Sequence, residues 1–307
     1  MLKNRVVFMN DDFVSWDEAT VHQMSHGFGR GSAIFEIMGL HAREPEPVVF
    51  RLDAHLKRFY RTAGLLEMEI SLAHDQLGKA VRETVRQNQV ESGFIKIIGA
   101  YTDVSFSVLP PETPLAISIF VLDPDEDLGG LSFPFETGTT LGISKWRKLD
   151  PQTVPIEAKA AANYLSGMVA RQETRHRGFE NVILLDTQGF VAEGPTESIF
   201  LVKDGTLFTP APGTVLKSIT RGSIIEAARF YDFDVQEIRI PRDWLFSADE
   251  IFLAGTPNKV LPVRQVEDRS IDTTPGPVTQ KISKIMDAIV SGRDDAFGKW
   301  LFPVKSR

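Results

Sequence analysis

The stretch WRKLDPQTVPIEAKAAANYLSG, residues 146–167, decides how the rest of the chain is read. At its centre Lys159 stands in EAKAAANY, flanked by alanines and with few other charges nearby. A lysine among small apolar residues gives up its proton more readily than one in water, and the free amine attacks carbonyl carbon. The plainer alternative is a surface lysine just ahead of a helix, and apolar spacing predicts a helix from about residue 160 to 176. Such a motif is short and unspecific, so its weight must come from its surroundings.

Downstream, residues 181–186 and 198–202 read as strands, the second closing through Lys203-Asp204-Gly205 as a hairpin turn. Thr220 stands at the start of the periodic stretch Ile224, Ile225, Ala228, which is N-cap chemistry. Residues 251–254 form a strand ending at Gly255-Thr256, and Ile282, Ile285, Met286 and Ile289 mark a last helix. Upstream, residues 6–9, 47–50, 93–101 and 115–122 read as strands; alternation on the third puts Phe94, Lys96 and Ile98 on one face. Leu52, Leu56, Phe59 and Ala63 follow helical spacing, as do Leu77, Val81 and Val85. The acidic, glycine-ended DPDEDLGG (residues 123–130) is the candidate linker. This divides the chain into a smaller domain, 1–122, a linker, 123–134, and a larger domain, 135–307. Strands and helices mix without a βαβ rhythm, so the fold class is α+β.

Bulk properties agree with a two-domain soluble protein of 307 residues, 42% apolar and 24% charged. A net charge of −7 without a basic run argues against nucleic acid as partner. The absence of cysteine excludes disulfides, thiolate nucleophiles and Cys-ligated metals; the six histidines show no HExxH spacing, so no metal site is expected. MLKNRVVFMNDDF turns polar too soon for a signal peptide and no apolar run reaches bilayer length, so a cytoplasmic protein without membrane partners is the expectation.

Two further signals are weak alone. Ser218-Ile219-Thr220 and Gly255-Thr256 lie at turns where free backbone N–H groups and a hydroxyl can hold an anion, or where the hydroxyl simply caps. Glu193, before Gly194-Pro195, is a turn carboxylate of the kind usually solvated. Read in order with Lys159, however, the segments resemble one family, the fold-type IV (class IV) pyridoxal-phosphate-dependent aminotransferases, and the branched-chain amino acid aminotransferases within it. SHGFGRGSAIFE (residues 25–36) is similar to its early HG-x-x-x-G-x-x-x-FE element, and VVFRLDAHLKRF (48–59) to the helix whose arginine grips the cofactor phosphate. NVILLDTQGFVAEGPTESIFLVKDGTLFTP (181–210) resembles the block holding the cofactor glutamate. SITRGSIIEAAR (218–229), EIFLAGTPNKVLPV (250–263) and GPVTQKI (276–282) complete a match in the right order over nearly the whole chain.

The resemblance implies a two-domain fold and pyridoxal 5'-phosphate as cofactor. It gives Lys159 the covalent attachment and proton shuttle, Glu193 the pyridinium nitrogen, and Tyr164 the phenolic oxygen. Arg58, the Ile219 and Thr220 amides and Thr256 take the phosphate. Composition alone does not separate Arg58 from Arg51, Lys57 or Arg61. Phe35, Arg30, Phe94, Lys96 and Pro257 fall at substrate-contacting positions, and here the chain departs from the branched-chain pattern. Tyrosine, then arginine, on the strand become Phe94 and Lys96; a tyrosine of the early element becomes Arg30; the final asparagine of EG-x-x-EN becomes Ser198. GT-A-A becomes Gly255-Thr256-Pro257-Asn258, and Pro257 has no N–H to offer a carboxylate. The expected function is transfer of an amino group from a branched-chain-like amino acid to a 2-oxo acid by a homodimer. The alternatives are 4-amino-4-deoxychorismate lyase, a D-amino acid or amine aminotransferase, and a protein that only binds the cofactor.

Overall fold

Buried Ile95 and Ile97 alternate with half-exposed Phe94, Lys96 and Ile98, and this period of two builds the strand Gly93–Ala100 at the middle of the first sheet. The computed structural model describes residues 2–130 and 133–305. Met1, residues 131 and 132 of the expected linker, and residues 306 and 307 of the expected second domain lie outside the described residues. In chain order the elements are β1 (Val6–Met9), β2 (Asp12–Ser15), α1 (His26–Arg30), β3 (Ala33–His41), β4 (Val48–Phe50), α2 (Leu52–Leu65), α3 (His74–Asn88), β5 (Gly93–Ala100), β6 (Ala116–Leu122) and α4 (Pro124–Leu128). Then follow β7 (Thr139–Arg147), α5 (Leu165–His176), β8 (Asn181–Leu185), β9 (Ser198–Lys203), β10 (Thr206–Pro210), α6 (Ile219–Phe230), β11 (Val235–Ile238), β12 (Glu250–Ala254), β13 (Leu261–Val266), β14 (Arg269–Ser270), α7 (Pro277–Val290) and β15 (Leu301–Pro303).

Two compact units result: residues 2–130 with Ala158–Ala162 and 288–305, and residues 133–157 with Asn163–Asp287. The first holds a sheet in the order β15-β4-β3-β5-β6-β1-β2. Its buried face, Ile34 and Met38 on β3 and Ile95 and Ile97 on β5, packs on Leu56 and Phe59 of α2 and Leu77, Val81 and Val85 of α3. Residues 124–128, within the expected linker, form the one-turn helix α4, which Asp123 caps and which Asp127 ties to Arg5 Nε at 2.8 Å.

The second unit holds the order β11-β10-β9-β12-β13-β7-β8, with β14 paired to β13. Leu141, Ile183, Ile199, Leu201, Ile251 and Leu253 fill its core from successive strands. Mixed parallel and antiparallel pairing, with helices off the strand rhythm, is the α+β class read from the sequence.

Candidate active site

In the first unit the site starts from an unfilled sheet edge. β5 pairs with β3 from Ala33 to Leu40, but on its other side β4 reaches only Leu40 and His41. The early half of β3 therefore has backbone groups to satisfy, and residues 158–160 satisfy them. Ala160 bridges to Ile34, the Phe35 N–H donates to the Lys159 carbonyl (3.1 Å), and the Lys159 N–H donates to Thr62 Oγ1 on α2 (3.1 Å). The helix expected from residue 160 consequently starts later: extended backbone at Lys159 and Ala160 cannot enter a helix, so a 3-10 turn, Ala161–Tyr164, intervenes before α5.

With its backbone held on both sides, half-buried Lys159 places Nζ 4.6 Å from the centre of the Phe35 ring. Lys96 of β5 brings a second ammonium to the same ring at 5.6 Å. Burial pushes the Lys96 pKa down. Phe94 shares the Lys96 face of β5, as alternation required.

The opposite face of β3 carries Glu36, which is fully buried. Its carboxylate accepts from Arg58 Nε (2.7 Å) and Nη2 (2.6 Å) and from His55 Nδ1 (2.7 Å). An ionised carboxylate only accepts, so Nδ1 carries the His55 proton. Burial drives the Glu36 pKa upward, but the Arg58 charge and the hydrogen bonds of Arg58 and His55 outweigh it and hold the group at about 2. Burial lowers the His55 pKa against the pull of Glu36. Arg58 and His55 stand three residues apart on one face of α2, and Glu36 fixes the plane of the guanidinium. Arg30 is elsewhere employed: exposed at the end of α1, it donates to the carbonyls of Phe106 (3.1 Å) and Ser107 (3.4 Å).

The second unit holds the other expected residues. Glu193 follows a tight hairpin in which Leu185 bridges Val191, and its buried carboxylate meets Lys148 Nζ at 2.6 Å. Gly167 lets α5 close on the following loop, since a Cβ there would lie 3.0 Å from the Pro195 Cα. Half-buried Tyr164 ends the 3-10 turn. Helix α6 is capped by Ser218, whose Oγ accepts from the Arg221 N–H (3.2 Å); the cap expected at Thr220 is thus two residues earlier, and Thr220 lies buried in the first turn. The amides of Ile219 and Thr220 begin the helix and have no intrahelical acceptor. Buried Arg221 anchors that turn to β10 through Thr209 Oγ1 (2.9 Å) and the Pro210 carbonyl (2.7 Å). Beyond β12, Thr256 is half-buried and Pro257 exposed, while Asn258 Oδ1 and Ser198 Oγ are buried without a hydrogen-bond partner.

Glu36, His55, Thr62 and Lys148 were not singled out as site residues from the sequence. Glu36 and His55 stand inside the quoted segments and could have been found by asking what pairs with Arg58. Thr62 and Lys148 act through contacts that no local pattern announces. Among the described residues, no group of three or more His, Cys, Asp or Glu side chains could hold a metal ion, and no helix is long and apolar enough to cross a membrane.

This fold is that of a known class: the chain matches the family described as amino-transferase class IV over residues 33–266, and it belongs to that family. It is similar to the branched-chain-amino-acid aminotransferase of Escherichia coli (strain K12), 34% identical over 300 residues and 96% of each chain. The enzyme of that name from Salmonella typhimurium is 33% identical over 302 residues, 98% of this chain and 97% of the relative. Among solved structures, the branched-chain amino acid aminotransferase from Thermobaculum terrenum, in its PLP form, superposes with a TM-score of 0.91 at 26% identity, covering 100% of each chain. The two-sheet α+β architecture is therefore that of the fold-type IV aminotransferases.

Proposed function

We propose that the chain is a pyridoxal-phosphate-dependent aminotransferase that moves an amino group from a branched-chain-like amino acid to a 2-oxo acid. The placement of Lys159 carries this reading. A lysine locked by two backbone hydrogen bonds, with its amine against an aromatic face, is a positioned nucleophile rather than a solvated surface cation. The remaining donors fit the cofactor by type. Glu193 is a buried carboxylate for a cationic ring nitrogen, and the start of α6 offers two amides without an intrahelical acceptor for a phosphate.

When bound, pyridoxal phosphate supplies an aldehyde for the amino group and a protonated ring that draws in the electron pair of the substrate Cα–H bond. Lys159 Nζ would hold the cofactor covalently and, when free, would take the substrate Cα proton and return it. Glu193 accepts the ring N–H, with Lys148 as its counter-ion otherwise. Tyr164 donates to the phenolic oxygen. Arg58, Thr256 and the amides of Ile219 and Thr220 hold the phosphate, Arg58 acting mainly through N–H donors because Glu36 balances its charge. The holoenzyme should show a visible band that borohydride abolishes, and peptide mapping should find the cofactor on Lys159; recovery on another lysine overturns the assignment.

The branched-chain preference is supported by likeness to proteins of that name, whereas Lys96 favours an acidic group on one of the substrates. That observation keeps 4-amino-4-deoxychorismate lyase as the second reading. Pyruvate release from aminodeoxychorismate, measured beside amino transfer from leucine, valine and glutamate, decides between them. A homodimer accounts for the strongly exposed side chains of Phe28, Phe106, Val108 and Leu109, which would otherwise leave apolar surface in water. Light scattering that finds only monomer at working concentration removes that part.

A further inference from the structure

The unit that carries Glu193 also carries a cleft rich in cations. At the end of β7 the pairing with β8 slips between Ile143 and Arg147, and the strand's last three residues are exposed. There a cleft of about 820 Å³ opens, lined by Lys145, Arg147, Arg177, Arg242 and Arg269. Its volume is that of a small-molecule pocket, which spans about 300–1,000 Å³. Only two acidic residues, Glu267 and Asp268, line it against those five cations. In a chain whose net charge is −7, this is a local reversal of sign.

The cations are held mostly by groups that leave their charge intact. Arg269 donates to the carbonyls of Leu245 (3.1 Å) and Ala248 (2.6 Å), and Arg242 lies 5.8 Å from the centre of the Phe246 ring. Lys145 lies 5.4 Å from the centre of the Trp146 ring. Lys145, Arg147 and Arg242 have no carboxylate partner among the described residues. Arg177 alone is neutralised, by Glu267 and by Glu173 at 3.3 Å. Glu267 is itself occupied, accepting from the Ile143 N–H at 2.5 Å and from Arg177. Carbonyls and aromatic faces orient a guanidinium without cancelling it, so part of the entropic penalty of gathering cations round an anion is met before binding. Ile143, Leu185 and Phe246 give the cleft an apolar wall for an organic body.

We propose that this cleft binds a small phosphate-bearing molecule of nucleotide size, with Lys145, Arg147 and Arg242 meeting the phosphate. Neither Glu193 nor Lys148, which reaches it, lines the cleft. A long nucleic acid is disfavoured, because the rest of the acidic surface would repel it.

The test uses the holoenzyme with pyridoxal phosphate in excess, so that the cofactor's own phosphate site is filled. Calorimetric titrations with inorganic phosphate, AMP and adenosine separate the contributions. AMP should bind saturably and more weakly as salt rises, and adenosine should not bind. Inorganic phosphate matching AMP would support the site and identify free phosphate as sufficient. Arg147→Ala with Arg242→Ala should weaken AMP about tenfold or more, as loss of charge-assisted hydrogen bonds requires, while Arg147→Lys keeps part of the affinity. Both arginines are exposed, so the fold and cofactor absorbance should not change. Adenosine binding as well as AMP, unaltered affinity in the double variant, or no saturation by any phosphate compound overturns the proposal.

Discussion

Buried Glu193 and half-buried Lys148 form an ion pair 2.6 Å apart, and the carboxylate is the member proposed to hold the ring proton. Glu193→Gln keeps the shape but cannot hold a ring proton by opposite charge. It also leaves Lys148 without its counter-ion, so stability must be measured beside activity. Cofactor binding should persist while kcat falls by about 10²–10³-fold, the scale of a lost preorganised electrostatic contact. A kcat within a factor of two of wild type would rule the role out. Lys96 is the residue to test for the substrate. Its ammonium shares the Phe35 ring with that of Lys159, whereas Arg30 spends its donors on two loop carbonyls. Lys96→Ala should raise KM for an acidic donor or acceptor about tenfold or more with cofactor absorbance intact, since a charged hydrogen bond is lost. Arg30→Ala should act less. Pro257→Ala returns a backbone N–H to an exposed turn position and should improve turnover of branched-chain L-amino acids; no gain would mean that the turn does not contact the carboxylate.

Two elements bear on how Lys159 is held and where phosphate goes. The Thr62 hydroxyl accepts the Lys159 N–H, and Thr62→Val leaves that donor unpaired at nearly constant volume. The expected loss is about 1–3 kcal/mol of stability, with kcat falling more than KM rises because the amine is displaced rather than removed. Equal stability and kcat would show that the pairing with β3 suffices. Ser218→Ala should cost about 1 kcal/mol as a lost cap and weaken cofactor retention, whereas Thr220→Ala should leave the cap untouched. These elements also show what sequence can carry. The faces of β5, α2 and α3 were legible because each repeats a strong local period. The start of α5 was misplaced because the tertiary demand of an unfilled strand edge overrode helical spacing in AKAAANY. β15 was unreadable for a different reason. Its three residues have no period of their own, and only the hydrogen bonds to β4 and that of Arg51 N–H to the Trp300 carbonyl (2.7 Å) define it. The proposed set Lys159, Glu193 and Tyr164 rests on order along the chain, whereas the contacts of Glu36 with Arg58 and of Lys148 with Glu193 emerge only when distant segments are brought together.

For the molecule as a whole, the Glu36–Arg58–His55 group makes stability depend on pH in a stated direction. Glu36 is held at about 2 against an ordinary value of 4.5, and His55 lies below its ordinary 6.5. Both pKa values are depressed by folding, so in each window the unfolded chain binds more protons and stability falls as pH falls. The His55 contribution is complete above 6.5 and is lost below it, as the unfolded imidazole charges while the buried one resists. The Glu36 contribution is complete above 4.5 and is lost progressively down to about 2. Denaturant midpoints should therefore decline gently at first and more steeply once the carboxylate window is entered. Glu36→Gln isolates the second part. At neutral pH it should be less stable by about 2–4 kcal/mol, because it deprives half-buried Arg58 of the Glu36 charge. Between 4.5 and 2 its stability should change less with pH than that of wild type, since the group that bound the extra proton on unfolding is gone. Parallel curves for the two proteins across that interval would mean that Glu36 is not the carboxylate that folding acidifies, and the acid sensitivity would then belong to the exposed acidic surface.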